Sequence, residues 1–165
     1  MLHKETVTAE LFQVIKTLMS MEELKEFQLV GGTAIALQLG HRKSIDIDFF
    51  SNKIVDLKRV ARSLKNSYPD LPHVTLTEHT LGAIINGVKI DIYDDWSIPF
   101  KKTPLIEDGI RLAALDDLVA FKLSAIIGRR EKKDYIDLFF LFKQLKASEV
   151  LNNFKNYEPL FISVH

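Results

Sequence analysis

The chain contains no cysteine. That absence removes disulfides, thiolate metal sites and a cysteine nucleophile together. It also lacks an excess of charge of either sign, because Lys plus Arg and Asp plus Glu both number 22. Bulk electrostatic attraction to nucleic acid is thereby excluded, and any contact with RNA must rest on a local patch such as Arg129 to Lys133. Charges interrupt every apolar run before it reaches the length of a bilayer span, so no membrane partner is expected. The opening residues, MLHKETVTAE, carry no apolar signal core, and a cytoplasmic location is the expectation. What is present is 165 residues, 47% of them apolar, enough to bury a real core in one domain or one domain with a helical appendage.

Apolar spacing organises the chain. Leu11, Val14, Ile15 and Leu18 recur at helical intervals, with Thr8 placed to cap them. FQLV (27–30) reads as a short strand closed by Gly31-Gly32, and 33–39 as a brief helix that Gly40 ends in a left-handed conformation. SIDIDFF (44–50) alternates as a strand, and Leu57, Val60, Ala61 and Leu64 mark a further helix. HVTLTEH is followed by LGAIINGVKIDIYDDW, within which Asn86-Gly87 is a two-residue hairpin signal between two strands. After a loop with two prolines, IRLA suggests a short strand, and LVAFKLSAIIG a helix started by Asp116 or Asp117 and stopped by Gly128. KKDYIDLFFLFKQL is apolar on nearly every side, which predicts a helix central to a helical layer. Ser148 is placed to cap a last helix, EVLNNFKNY. The expected organisation is α+β: a core over 1–113 with a mixed sheet, and a helical part over 114–165 packed on it.

Side chains two apart on a strand point the same way, so Asp46 and Asp48 share one face while Ile45, Ile47 and Phe49 share the other. The hairpin strand 88–93 alternates too, placing Asp91 with Lys89 and Tyr93, opposite Val88, Ile90 and Ile92. If the two strands lie side by side with apolar faces together, Asp91 joins the other two acids. Three carboxylates at about 5 Å repel by about 3 kcal/mol per pair at an effective dielectric of 20. Protons or cations must compensate, and all-oxygen ligands suit Mg²⁺ or Mn²⁺. An isolated Asp-x-Asp also reads as the solvated face of a half-exposed sheet. The upstream Gly31-Gly32 turn shifts the balance, because backbone amides at a helix start receive phosphate.

The order strand, Gly-Gly, helix, Asp-x-Asp strand, third-Asp strand resembles the polymerase-beta-like nucleotidyltransferase superfamily. More narrowly, GGTAIALQLGHRKSIDIDFF, VKIDIYD and FKLSAIIGRREKKDYIDLFFL resemble the AbiEii/AbiGii toxin-type nucleotidyltransferases of bacterial abortive-infection and toxin–antitoxin systems. The resemblance runs from about Phe27 to Leu141 with the motif order kept. It implies a metal-dependent nucleotidyltransferase with Asp46, Asp48 and Asp91 as catalytic and metal-binding residues. Gly31, Gly32 and Thr33 would receive the triphosphate, with Lys122 contacting phosphates and Arg129 or Arg130 supporting it. Arg42 and Lys43 are placed to neutralise the triphosphate, or simply belong to a surface turn. Asp134 and Asp137, three apart on one helical face, hold Lys122 or an arginine, and for Asp134 activation of the acceptor stays open. No histidine is assigned to metal. Tyr93 and Trp96 either stack on a base or pack at the rim. The implied partners are a nucleoside triphosphate, a tRNA, other RNA or protein acceptor, and a cognate antitoxin. The alternatives are a non-catalytic nucleotide-binding module of the same fold and a metal-dependent nuclease. Family members often carry a longer helical C-terminal part, whereas this chain stops at EPLFISVH, which suggests truncation or an end that packs on a partner.

Overall fold

A computed structural model describes residues 1–145. The helix expected after Ser148 lies outside the described residues. Helix α1 (Ala9–Met19) opens where Thr8 accepts a hydrogen bond from the Leu11 amide at 3.1 Å, and it buries Leu11, Val14, Ile15 and Leu18. Strand β1 (Gln28–Val30) runs directly into α2 (Gly31–Leu39), which Gly40 ends at φ +68°. Strand β2 (Asp46–Phe50) follows, then α3 (Leu57–Ser67), capped by Asp56 and burying Leu57, Val60 and Leu64. Strands β3 (Val74–Leu76), β4 (Thr80–Ile85) and β5 (Val88–Tyr93) form a meander. Its β4–β5 turn places Asn86 at φ 51° and Gly87 at φ 78°, the paired positive values of the tight hairpin. Strands β6 (Leu105–Glu107) and β7 (Ile110–Leu112) precede α4 (Leu115–Gly128) and α5 (Lys132–Gln144).

The strands make one seven-stranded mixed sheet in the order β3-β4-β5-β2-β1-β7-β6. The central pair decides the site. Strand β2 lies antiparallel to β1 and parallel to β5, with Asp48 opposite Val30 on one side and opposite Asp91 on the other. A parallel neighbour cannot be a hairpin partner, so β5 reaches this place only after the crossover through α3 and the meander. Ile47, Phe49, Ile90 and Ile92 are buried on the shared apolar face. Full burial of each such side chain is worth about 1.5–3 kcal/mol. That burial pins the register, because a one-residue slip would turn all of them outward and carry the acids inward.

Two expectations change in the structure. Ile45 precedes the strand and is 71% exposed, so the alternating face starts at Asp46. Helix α5 packs on α4 and α2, yet the residues it buries are Asp134, Asp137 and Leu141, while Tyr135, Phe139 and Phe142 are exposed. Its inner face is occupied by an ionic network rather than by aromatic side chains, and composition cannot reveal that. Among the described residues no helix is long and apolar enough to cross a membrane.

Candidate active site

The acids come together as the strand pattern requires. Neighbouring strands sit about 4.8 Å apart, and Asp48 is the direct partner of Asp91 across the parallel β2–β5 pair. Burial raises the Asp48 carboxyl first, the Asp91 charge next and the Asp46 charge after that, taking it from 3.8 to about 6. The repulsion expected between the three acids is thus present. Two ammonium groups offset it: Lys89 Nζ lies 2.5 Å from Asp91 Oδ2, and Lys133 Nζ lies 4.0 Å from Asp46 Oδ2.

The glycine turn meets this cluster directly. Val30 pairs with Asp48, so Gly31 begins α2 beside the carboxylate at φ +70°. A Cβ on Gly31 would fall 2.3 Å from Asp48 Oδ2, so only glycine fits both the backbone and the space. Gly32 is needed for a different reason: a Cβ there would lie 2.1 Å from Arg42 Nη2. Arg42 cannot swing away freely, since Nε and Nη2 bind the two Asp137 oxygens at 2.6 and 2.8 Å.

Below the acids lies a buried ionic layer. Lys122, on α4, places Nζ 2.8 Å from both Asp134 Oδ1 and Asp137 Oδ2. Arg129 binds Asp134 through Nε at 2.9 Å and Nη2 at 3.0 Å. His41 Nε2 completes the Asp137 shell at 2.6 Å, with its side chain fully buried against Phe140. Burial alone would push the Asp137 carboxyl up. The hydrogen bonds from Arg42 and His41 and the charge of Lys122 overrule it and hold Asp137 well below the usual carboxylate range. Asp134 is lowered in the same way, with Arg129 and Lys122 acting against burial.

A cavity of about 400 Å³ opens between these layers, lined by Gly31, Asp48, Asp91, Lys122 and Arg129 on its polar side. Phe50, Tyr93, Trp96 and Phe121 form an aromatic side, with Phe50 and Trp96 stacked at 4.0 Å between ring centres. One wall therefore suits anionic phosphates and the other a planar ring.

Not every residue singled out from sequence reaches this cavity. Thr33 is buried behind it, bonding its hydroxyl to the Asp46 carbonyl and meeting Ser44 Oγ at 2.8 Å, so it holds β2 in place. Lys43 points to the Glu5 carbonyl. Arg42 is engaged with Asp137 and does not line the cavity. Conversely, His41, Phe50 and Phe121 were not anticipated; they come together only through long-range packing. Lys89 was expected on the Asp91 face and Lys133 in a basic patch, but neither was read as a counter-charge to the acids.

The donor set fits a divalent cation of the Mg²⁺ or Mn²⁺ kind. The three carboxylates would offer hard oxygen donors, and the nearby ammonium groups and the raised Asp48 carboxyl mark a place where positive charge is wanted. Among the described residues no three acidic or histidine side chains already converge on one point. A cation held by Asp91 would compete with Lys89 for the same carboxylate oxygen.

Comparison with known proteins agrees with this geometry. The family described as nucleotidyl transferase AbiEii toxin, Type IV TA system, matches residues 16–158. An uncharacterized protein of Aquifex aeolicus (strain VF5) is 29% identical over 160 residues, covering 92% of this chain and 76% of its own length. Among solved structures, ANT(2'')-Ia in complex with adenylyl-2''-tobramycin superposes with a TM-score of 0.67 at 17% identity, over 93% of this chain and 99% of that one. The Megavirus polyadenylate synthase gives a TM-score of 0.56 at 20% identity over 79% of this chain, which spans only 31% of the synthase. These structures share the polymerase-beta-like nucleotidyltransferase fold with the present chain. With the family match covering most of its length, the chain belongs to the AbiEii nucleotidyltransferase toxin family.

Proposed function

We propose that this chain transfers a nucleoside monophosphate from a nucleoside triphosphate to an acceptor hydroxyl of RNA or protein, releasing pyrophosphate. The observation that carries the reading is the direct pairing of Asp48 with Asp91 beside the Gly31 turn, inside a cavity that also holds Lys122 and Arg129. The triphosphate lies along the start of α2, where backbone amides and the helix dipole receive anions. Lys122 and Arg129 add positive charge from the opposite wall, held there by Asp134 and Asp137. The base stacks in the aromatic half beside Trp96 and Phe50.

Asp46, Asp48 and Asp91 hold Mg²⁺ or Mn²⁺, which when bound neutralises the carboxylates and polarises the phosphate oxygens. Asp91 accepts the proton of the attacking hydroxyl, whose oxygen forms the new bond to the α-phosphorus as the bond to the pyrophosphate oxygen breaks. Positioning and electrostatics provide nearly all the acceleration. In the cell, in the cytoplasm, the transfer acts as the toxin of a toxin–antitoxin pair, relieved by a cognate antitoxin.

Each α-labelled triphosphate is incubated with the chain, Mg²⁺ and total RNA or total protein. Transfer of label that disappears in Asp46→Asn, with the fold retained, is the expected result. Shortened RNA would assign a nuclease instead, and nucleotide binding without product a non-catalytic module.

A further inference from the structure

Strands β2 and β5 run parallel and end together at Phe50 and Tyr93. The loops that leave them, 51–55 and 94–100, stay laced to one another. The Ser51 amide donates to the Tyr93 carbonyl at 3.0 Å, the Trp96 amide to the Ser51 carbonyl at 2.8 Å, and the Asp95 amide to the Lys53 carbonyl at 3.3 Å. The second loop carries part of the aromatic side of the nucleotide cavity. Trp96 lines that side, stacked on Phe50, and Phe100 meets Phe121 edge-on at 5.3 Å between ring centres.

Residues 97–100 belong to no strand, and one side chain stands where a strand neighbour would. Asn52 Nδ2 donates to the Trp96 carbonyl at 2.7 Å and to the Ile98 carbonyl at 3.0 Å, while Asn52 Oδ1 accepts the Phe100 amide at 2.8 Å. A carboxamide supplies two donors and an acceptor from one planar group, which is what two carbonyls and one amide demand. Aspartate has the same reach but no donor, and alanine offers neither.

Burial does not explain this bracket. Asn52 is exposed, and all three of its partners are backbone groups of the loop. Ile98, only 5% exposed, already anchors the loop to the core. What Asn52 adds is the backbone setting on either side of that anchor, at Trp96 and at Phe100. The Trp96 ring depends on it, because its Nε1 is buried without a hydrogen-bond partner among the described residues. No polar bond of its own turns the ring toward the cavity, so its orientation rests on the Phe50 stack and on the backbone beneath it. A ring held in place before the ligand arrives spares the ordering that binding would otherwise require.

We propose that Asn52 is a positioning residue for nucleotide binding, clasping the 94–100 loop so that Trp96 is set to stack on the base. Asn52 does not itself line the cavity and acts through Trp96. The inference rests on the base placement in the transferase reading above and adds a residue to that same site.

The test is calorimetric titration of the full chain with each ribonucleoside triphosphate and with inorganic tripolyphosphate, all with Mg²⁺. Tripolyphosphate reports the phosphate half alone, so the ratio of the two affinities isolates the base half. In Asn52→Ala, triphosphate affinity is expected to fall about tenfold, about 1.4 kcal/mol, while tripolyphosphate stays within about twofold of wild type. Asn52→Asp keeps the acceptor for Phe100 but turns an oxygen toward two carbonyls, and the same loss is expected. In the transfer assay the loss should fall on KM for the triphosphate with kcat kept within about threefold, the mark of binding removed equally from ground and transition states. Triphosphate affinity unchanged in both variants, or a parallel loss for both ligands, overturns the inference. A wild type that binds triphosphates no better than tripolyphosphate takes the base off the aromatic wall and overturns it too. A wild type that prefers a triphosphate yet releases no pyrophosphate overturns the transferase reading alone, and the variants still decide the role of Asn52.

Discussion

Replacing Asp48 by asparagine is expected to make the metal-free chain more stable while abolishing its chemistry. Burial and the charges of Asp91 and Asp46 raise the Asp48 carboxyl from 3.8 to about 6. A shift of about two units corresponds to about 3 kcal/mol. Because the folded value is the higher one, the stabilisation from the protonated form is fully present below about pH 4 and is lost as the pH rises through about 6. Above that range the wild type carries an ionised carboxylate that folding disfavours, whereas asparagine never ionises. At about pH 8 in chelator, Asp48→Asn should melt about 6–12 °C above wild type for a chain of this size. The gap should close toward about pH 4, where both side chains are neutral. Comparing the two proteins at each pH cancels the titration of groups that do not interact with Asp48, while Asp46 and Asp91 titrate with it as one cluster. Saturating Mg²⁺ should then raise the wild type selectively, by about 2.7 kcal/mol at a hundredfold excess over its dissociation constant, and leave the variant unmoved. Calorimetry across the pH range with and without Mg²⁺ measures all of this. A variant equal to or less stable than wild type at high pH, or a gap that does not change with pH, refutes the electrostatic account of the cluster.

Gly31→Ala forces a side chain onto φ +70° and into Asp48, so a loss of about 1–3 kcal/mol from the backbone alone and a loss of triphosphate binding are expected, read by melting and by calorimetric titration. Lys122→Met leaves Asp134 and Asp137 facing each other without the ammonium between them, and chemical denaturation should show a cost of about 3–5 kcal/mol. Asp137 has the opposite sign to Asp48: its carboxyl is lowered in the folded chain, so its stabilisation is present above about pH 4 and lost as the pH falls further, and Asp137→Asn should flatten the acid limb of stability against pH. Trp96 is the sole tryptophan in the sequence and lines the nucleotide cavity, so its emission should change on adding a triphosphate with Mg²⁺; an unchanged spectrum at saturation would move the base elsewhere.

Much of the site could be read from spacing. Period-two alternation placed Asp46 with Asp48 and Asp91 with Lys89, and the glycines at 31 and 40 and the Asn86-Gly87 pair marked turns whose backbone angles the structure bears out. These features are local, decided within a few residues by sterics and by the strand repeat. The ionic layer was less legible. Arg42 looked like a phosphate contact because it precedes the acidic strand, yet it crosses Gly32 to bind Asp137, a residue 95 positions away. His41 gave no signal, since a buried histidine serving a distant carboxylate has no near-neighbour pattern. Helix α5 looked central because apolar residues fall on nearly every side of it, but the partners of Asp134 and Asp137 decided which face went inward.

Alternation, turn chemistry and the order of motifs along the chain already committed each acid to a face and each glycine to a bend. Which strands became neighbours, and so whether Asp91 met Asp48 at all, was left to the folded whole. The parallel pairing of β2 with β5 is enforced by burying Ile47, Phe49, Ile90 and Ile92 together, a cooperative gain summed over elements far apart in the chain. No short window of residues contains that sum.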